Sequence, residues 1–225
     1  LSSGVAYRRL GVDGVEALVG QGVHYGAAVS AAREIEGYDV VVVGGGNSAG
    51  QAAVHLARFA RSVTIVVRRR ELAETMSDYL VREITEAPNI TVRSRVHVVD
   101  GLGSQRLQAL VLEDLDTGQR ETVPADALFV MIGSSPQTDW LGQEVRRDRW
   151  GFILTGSELA QAGWDGQPPR TALFAETSMP GVFAIGDVRQ GSVKRVASAV
   201  GAGAIAIAMV HEYLATLPPV PTGSG

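Results

Sequence analysis

Asp39-Val40-Val41-Val42-Val43-Gly44-Gly45-Gly46-Asn47-Ser48-Ala49-Gly50-Gln51 is the stretch from which the rest of the sequence can be ordered. Four consecutive β-branched residues suit a strand buried on both faces of a parallel sheet. The glycines that follow permit a tight turn, and residues 51–60 supply helix formers with Val54, Leu56 and Phe59 along one apolar side. Gly44-x-Gly46-x-x-Ala49 has the spacing of a dinucleotide fingerprint. The first glycine allows the turn, the second admits a pyrophosphate to the backbone, and the third small residue lets helix pack on strand. Gly45, Asn47 and Ser48 complete a loop whose amides, at a helix N-terminus, favour an anion.

Downstream, Val63-Thr64-Ile65-Val66-Val67 reads as the second strand of a βαβ unit. It ends in Arg68-Arg69-Arg70. An NAD site places an acid there to accept from the ribose 2′-hydroxyl. Arg68 and Arg69 suit a 2′-phosphate instead, through charge-assisted and often bidentate hydrogen bonds, so NADPH is expected rather than NADH.

Thr75 and Asp78 have capping-box spacing ahead of a helix through Tyr79, Leu80, Ile84 and Glu86, which Ala87-Pro88-Asn89 should stop. Three strands are expected over 90–99, 107–113 and 127–132, arranged as a meander. Residues 143–170 read as loop. Order returns with a strand over 182–185, the turn Gly186-Asp187 and a small-residue helix over 193–214.

The whole chain has 225 residues, 20 basic and 24 acidic, with 45% apolar composition. This is globular composition without the basic footprint of a nucleic-acid binder. Cysteine is absent, which removes disulfides, thiolate metal sites and thiol nucleophiles. His55, His97 and His211 lack metal-ligand spacing, and no metal is expected. The charge-free run 196–210 is shorter than the roughly eighteen residues of a membrane span, so no membrane segment is expected. The chain opens with Leu and without the basic-then-apolar order of a secretory signal, and is expected to start mid-protein.

Taken with Ser3-Gly4-Val5, Ile132-Gly133-x-x-Pro136 and Gly186-Asp187-Val188, these motifs give the chain a resemblance over nearly its whole length. It resembles the pyridine nucleotide-disulfide oxidoreductases, and among them the thioredoxin reductase-like flavoproteins. The resemblance implies an α/β fold: a Rossmann-like NADPH-binding domain, with a parallel sheet and a β-meander, joined to the C-terminal half of an FAD-binding domain. The implied division places the end of the first FAD half and a linker at 1–11. The NADPH domain follows at 12–134, the rest of the FAD domain at 135–217 and a disordered tail at 218–225.

The same resemblance implies roles for individual residues. Asp187, beside Gly186, would face the ribityl and phosphate region of FAD. Arg195, Val196 and Ala197, which open the last helix, would approach the isoalloxazine through backbone groups. Ile132 and Gly133 would lie near the nicotinamide. Without that match, Asp187 also reads as a helix N-cap. Segments near 10–12 and 133–136 are hinge candidates.

Two departures from the family pattern stand out. The redox Cys-x-x-Cys of thioredoxin reductases falls on Gly22-Val23-His24-Tyr25-Gly26-Ala27-Ala28-Val29, where there is no thiol, so a dithiol relay cannot operate within this chain. The family's first nucleotide-binding unit is expected upstream of Leu1. The expected function is NADPH-dependent FAD flavoprotein oxidoreduction, with hydride transfer from NADPH to flavin and no catalytic side chain assigned. The acceptor is left open and could be a protein. The full-length protein is expected to be a cytoplasmic homodimer, and the isolated fragment to bind NADPH without flavin and without turnover. The alternatives are a ferredoxin- or flavodoxin-NADP reductase-like enzyme and a non-catalytic NADPH-sensing module.

Overall fold

The valine run becomes the middle strand of a five-stranded sheet in the computed structural model, which describes residues 1–26, 34–164 and 171–218. The chain forms two compact units, Tyr7–Gly133 and a second made of Leu1–Ala6 with Ser134–Gly225.

In the Tyr7–Gly133 unit the strands β2 (Val23–Tyr25), β3 (Asp39–Val43), β4 (Ser62–Val67), β5 (Ile90–Ser94) and β9 (Ala127–Val130) are all parallel, in the order β2-β9-β3-β4-β5. Strand alternation divides the valines between two cores. Val40 and Val42 pack with Ala53, Leu56, Leu80 and Ile84 from helices α2 (Asn47–Leu56) and α3 (Asp78–Glu86). Val41 and Val43 pack with Val98, Leu110 and Leu112 of an antiparallel meander, and with Val15 of α1 (Asp13–Glu16). The meander consists of β6 (Val96–Leu102), β7 (Ala109–Asp114) and β8 (Arg120–Pro124). Both faces of the sheet are thus covered, as an all-parallel sheet requires.

In the other unit, Val5 and Ala6 of β1 (Val5–Tyr7) lie with its partner strand β10 (Ser134–Pro136), and the Gln137 amide donates to the Gly4 carbonyl at 3.0 Å. A small core of Val145, Ile153, Ala184 and Val188, with Leu1 and Leu141 packed on it, lies in this unit, which also holds a short helix α4 (Ser157–Gln161) and the long helix α5 (Val196–Ala215).

Several expectations are corrected. The run 90–99 is broken at Arg95, whose φ of +57° is the only positive value at a non-glycine residue among those described, so β5 and β6 join different sheets. Residues 127–130 enter the parallel sheet as β9 instead of closing the meander. That place is taken by β8, whose polar, exposed Arg120-Glu121-Thr122 offers no apolar run to read. Helix α2 starts at Asn47 and ends at Leu56, leaving Phe59 beyond it and exposed. Thr75 and Asp78 form no capping box, because the Thr75 hydroxyl donates to the Gly45 carbonyl at 2.8 Å. The box belongs to Glu71 and Glu74 around a 3₁₀ turn, Leu72–Glu74, while α3 begins after Ser77 without a side-chain cap.

Residues 182–185 form no strand, only a single bridge between Glu176 and Phe183. Helix α5 runs on past the charge-free segment to twenty residues, and by length and composition it is long and apolar enough to cross a membrane. Past that segment it carries Glu212 as its one acidic residue. Val196, Val200, Ile207 and Leu214 are exposed along it. Residues 27–29 of the expected thiol segment, 165–170 of the expected loop and 219–225 of the expected tail lie outside the described residues.

Candidate functional site

The carboxyl ends of β3, β4 and β9 meet at one sheet edge. The Gly44 amide donates to the Val66 carbonyl at 3.2 Å, and the Met131 amide to the Val43 carbonyl at 2.7 Å. From β3 the sheet grows one way through β4 and β5 and the other way through β9 and β2, so the β3–β9 boundary is the point of reversal. Ligands of open α/β sheets bind in the crevice at such a point.

The glycines at this edge have different physical reasons. Gly44 has φ +149°, and a Cβ there would run into the Met131 carbonyl and stand 3.1 Å from the Ala49 Cβ. A Cβ on Gly46 would enter open space, with nothing within 4 Å. A Cβ on Gly45 would make ordinary contact with Thr75 Oγ1 at 3.5 Å. Gly44 therefore shapes the protein, whereas the room at Gly46 is left for something else. Ala49 is fully buried, Ser48 is exposed, and α2 has no acidic residue in its first turn and no side-chain cap. Its leading amides are open to an anion, and the donor set fits a diphosphate.

The loop after β4 is fastened to this turn. Asn47 Oδ1 accepts from the Ser77 amide at 2.8 Å and Asn47 Nδ2 donates to Ser77 Oγ at 2.9 Å, so the Asn47 side chain is engaged within the protein. Arg68 and Arg69 are exposed at the end of β4, but they differ. Arg69 pairs with Glu74 at 3.0 Å, whereas the Arg68 guanidinium has no hydrogen bond or ion pair with any described residue. Both backbone carbonyls are held by Arg95, whose amide donates to the Arg69 carbonyl at 3.1 Å and whose Nη1 donates to the Arg68 carbonyl at 3.2 Å. Asp116 holds the Arg95 guanidinium in turn, at 2.7 Å. The Arg69 guanidinium and the amides of Glu71 and Arg70 keep the Glu74 carboxyl below its usual range.

Sequence reading missed Glu74 and Arg95. The Glu71-x-x-Glu74 spacing is a capping-box signal that could have shown the first. A left-handed arginine ending one sheet and starting another leaves no such mark.

His24 and Tyr25 lie on β2. The His24 ring stacks on Phe129 with centroids 4.9 Å apart, and burial pulls its pKa down against the opposing charge of Glu34. The Tyr25 hydroxyl donates to Glu16 and accepts from the Leu10 amide at 3.0 Å. Burial, then the bond to Glu16, push the Tyr25 phenol up. The Gly11 amide also donates to Glu16, at 3.3 Å, so residues 10 and 11 are tied to this unit.

In the other unit, Gly186-Asp187-Val188 forms a 3₁₀ turn with Gly186 at φ +71°. A Cβ on Gly186 would stand 3.6 Å from the Ala199 Cβ, so the turn lies against α5. Asp187 is half-buried and does not cap that helix, whose N-cap residue is Arg195. Arg195, Val196 and Ala197 are exposed at the helix start. Arg189 Nη1 donates to Thr155 Oγ1 at 3.0 Å and its guanidinium sits 4.5 Å from the Phe174 ring centroid. Arg189 Nε and Ser192 Oγ are buried without a partner among the described residues. Such unspent donors beside a glycine turn fit a polar ligand.

The structure thus gathers Gly44 to Ala49, Arg68, Arg69, Ile132 and Gly133 at one edge of one unit, and Gly186, Asp187 and Arg195 to Ala197 around the head of α5 in the other. Residues 1–203 match the pyridine nucleotide-disulphide oxidoreductase family. The chain belongs to that family. A 34.2 kDa protein in a rubredoxin operon of Clostridium pasteurianum is 31% identical over 214 residues, 95% of this chain and 63% of that protein. A thioredoxin reductase of Streptomyces clavuligerus is 32% identical over 219 residues, 96% of this chain and 62% of its own.

The crystal structure of thioredoxin reductase from Streptococcus pyogenes MGAS5005 superposes with a TM-score of 0.77 at 31% identity, covering 96% of this chain and 65% of that one. The chain spans under two thirds of the length of these relatives. It is a thioredoxin reductase-like member of its oxidoreductase family, and it contains no cysteine.

Proposed function

We propose that this chain is the coenzyme-binding unit, together with part of the flavin-binding unit, of an NADPH-dependent flavoprotein oxidoreductase. The observation that carries the reading is the open space at Gly46, at the head of a helix without a side-chain cap, together with Arg68 at the end of β4, unpaired among the described residues. Backbone amides of residues 46–48 bind the diphosphate, and Arg68 with Arg69 bind the 2′-phosphate. Ile132 and Gly133, across Gly44 at the end of β9, orient the nicotinamide end, and a Cβ at Gly133 would meet nothing within 4 Å. Gly186, Asp187 and the residues opening α5 bind and orient part of FAD. When bound, FAD supplies the hydride-accepting chemistry.

This chain holds no thiol to carry electrons onward, so the acceptor lies outside these 225 residues. Titration of the chain with NADPH and NADH tests the coenzyme assignment, with tighter binding of NADPH expected. Preference for NADH would overturn the role of the arginines, and binding of neither would overturn the site. In the full-length protein loaded with FAD, stopped-flow mixing with NADPH should bleach the flavin absorbance. An unbleached flavin would refute the oxidoreductase reading.

A further inference from the structure

We infer that Glu74 is a specificity-determining residue of the proposed coenzyme site, occupying Arg69 and so competing with the 2′-phosphate for that guanidinium. The inference rests on the dinucleotide reading of the edge and concerns how strongly the site distinguishes two coenzymes. The two carboxylate oxygens of Glu74 have separate tasks. Oε1 accepts the backbone amides of Arg70 at 3.1 Å and Glu71 at 3.3 Å, which shapes the loop. Oε2 accepts from Arg69 Nη1 at 3.0 Å, which shapes nothing in the backbone.

On the other side of the loop, Arg95 holds the carbonyls of Arg68 and Arg69. The backbone is therefore fixed from both flanks, and the Arg69 side chain is the part that must change partner when an anion arrives. Arg68 is already free to meet it. A dianionic phosphate at this position also meets the negative charge of Glu74, whereas a ribose hydroxyl does not, and can donate to it. Glu74 thus lowers the preference for NADPH over NADH that two unopposed arginines would give. The two arginines are unequal, with Arg68 the principal phosphate contact and Arg69 a conditional one.

The test is calorimetric titration of the chain with 2′,5′-ADP and 5′-AMP, which differ by the 2′-phosphate alone. Glu74→Gln keeps an oxygen for the two loop amides and removes the charge. It should tighten 2′,5′-ADP by about three- to tenfold while 5′-AMP changes less than about twofold. Arg68→Ala and Arg69→Ala, which leave the loop amides untouched, give a second reading: loss of 2′,5′-ADP affinity is expected to be several-fold greater for Arg68→Ala. An unchanged 2′,5′-ADP to 5′-AMP ratio in Glu74→Gln, or equal losses for the two arginine variants, overturns the inference and leaves the site standing. Failure of the unaltered chain to bind either nucleotide overturns the site, and the inference with it.

Discussion

The backbone carbonyl of Met131 closes the space above Gly44, so no side chain can stand at the first glycine of the fingerprint turn. Gly46, two residues on, faces open space. The two glycines should therefore fail differently. Gly44→Ala combines a clash with the Met131 carbonyl and a φ of +149°, and should lower the stability of the Tyr7–Gly133 unit by about 2–4 kcal/mol. Gly46→Ala should leave the urea midpoint nearly unchanged and abolish NADPH binding, because its methyl occupies the diphosphate's place. Equal loss of stability in the two variants would contradict this division.

Arg95 combines a left-handed backbone with a double hold on the arginine loop, and substitution can separate the two. Arg95→Gly suits φ +57° better than any other residue, while removing the Nη1 bond to the Arg68 carbonyl and the pair with Asp116. Its unfolding midpoint should match that of the unaltered chain, and its affinity for 2′,5′-ADP should fall about two- to fivefold. Arg95→Ala should show the same loss of affinity with a lower midpoint, since its Cβ disfavours the left-handed region. Unaltered 2′,5′-ADP binding in both would show that Arg95 does not position the loop.

The βαβ unit at the centre of the parallel sheet was legible because its signals are local. Val40 to Val43, the glycine turn and Val63 to Val67 each lie within one contiguous segment, and each appears where expected. What stayed hidden depends on partners distant in sequence. Nothing in residues 127–130 says whether they pair with β3 or close a meander, and only the assembled sheet decides it. Thr75 matched a cap because the bond to Gly45, thirty residues earlier, is invisible locally. In the site, the glycine and arginine positions were legible from spacing. The engagement of Arg69 by Glu74 was not, since a charge run reads alike whether its members are paired or free.

His24 gives the Tyr7–Gly133 unit a pH dependence of defined sign. Burial depresses its folded-state pKa below the ordinary 6.5. The unfolded chain therefore binds more protons once pH drops below that value, and stability falls as pH falls from 6.5 toward the depressed folded value. Above 6.5 this contribution is complete. Urea midpoints at pH 7.5 and 5.5 should differ more for the unaltered chain than for His24→Phe, which keeps an aromatic ring against Phe129 without a titrating group. An identical pH dependence in the two would show that the His24 ring protonates as freely folded as unfolded.

Glu176 does for the other unit what the Gly44 turn does for its neighbour, because a fully buried carboxylate organises the segment leading to Gly186-Asp187. Its Oε2 accepts the Leu173 amide at 3.1 Å and its Oε1 the Gly181 amide at 3.0 Å. Glu176→Ala leaves both amides without these acceptors, and should cost about 2–5 kcal/mol in this unit. Glu176→Gln retains one oxygen and should cost less. Hydrogen exchange separates this from a general loss of packing: protection should fall first at the Leu173 and Gly181 amides, while amides of β3 and β4 keep theirs. Uniform loss of protection through both units would mean that the carboxylate supports more than the loop it caps.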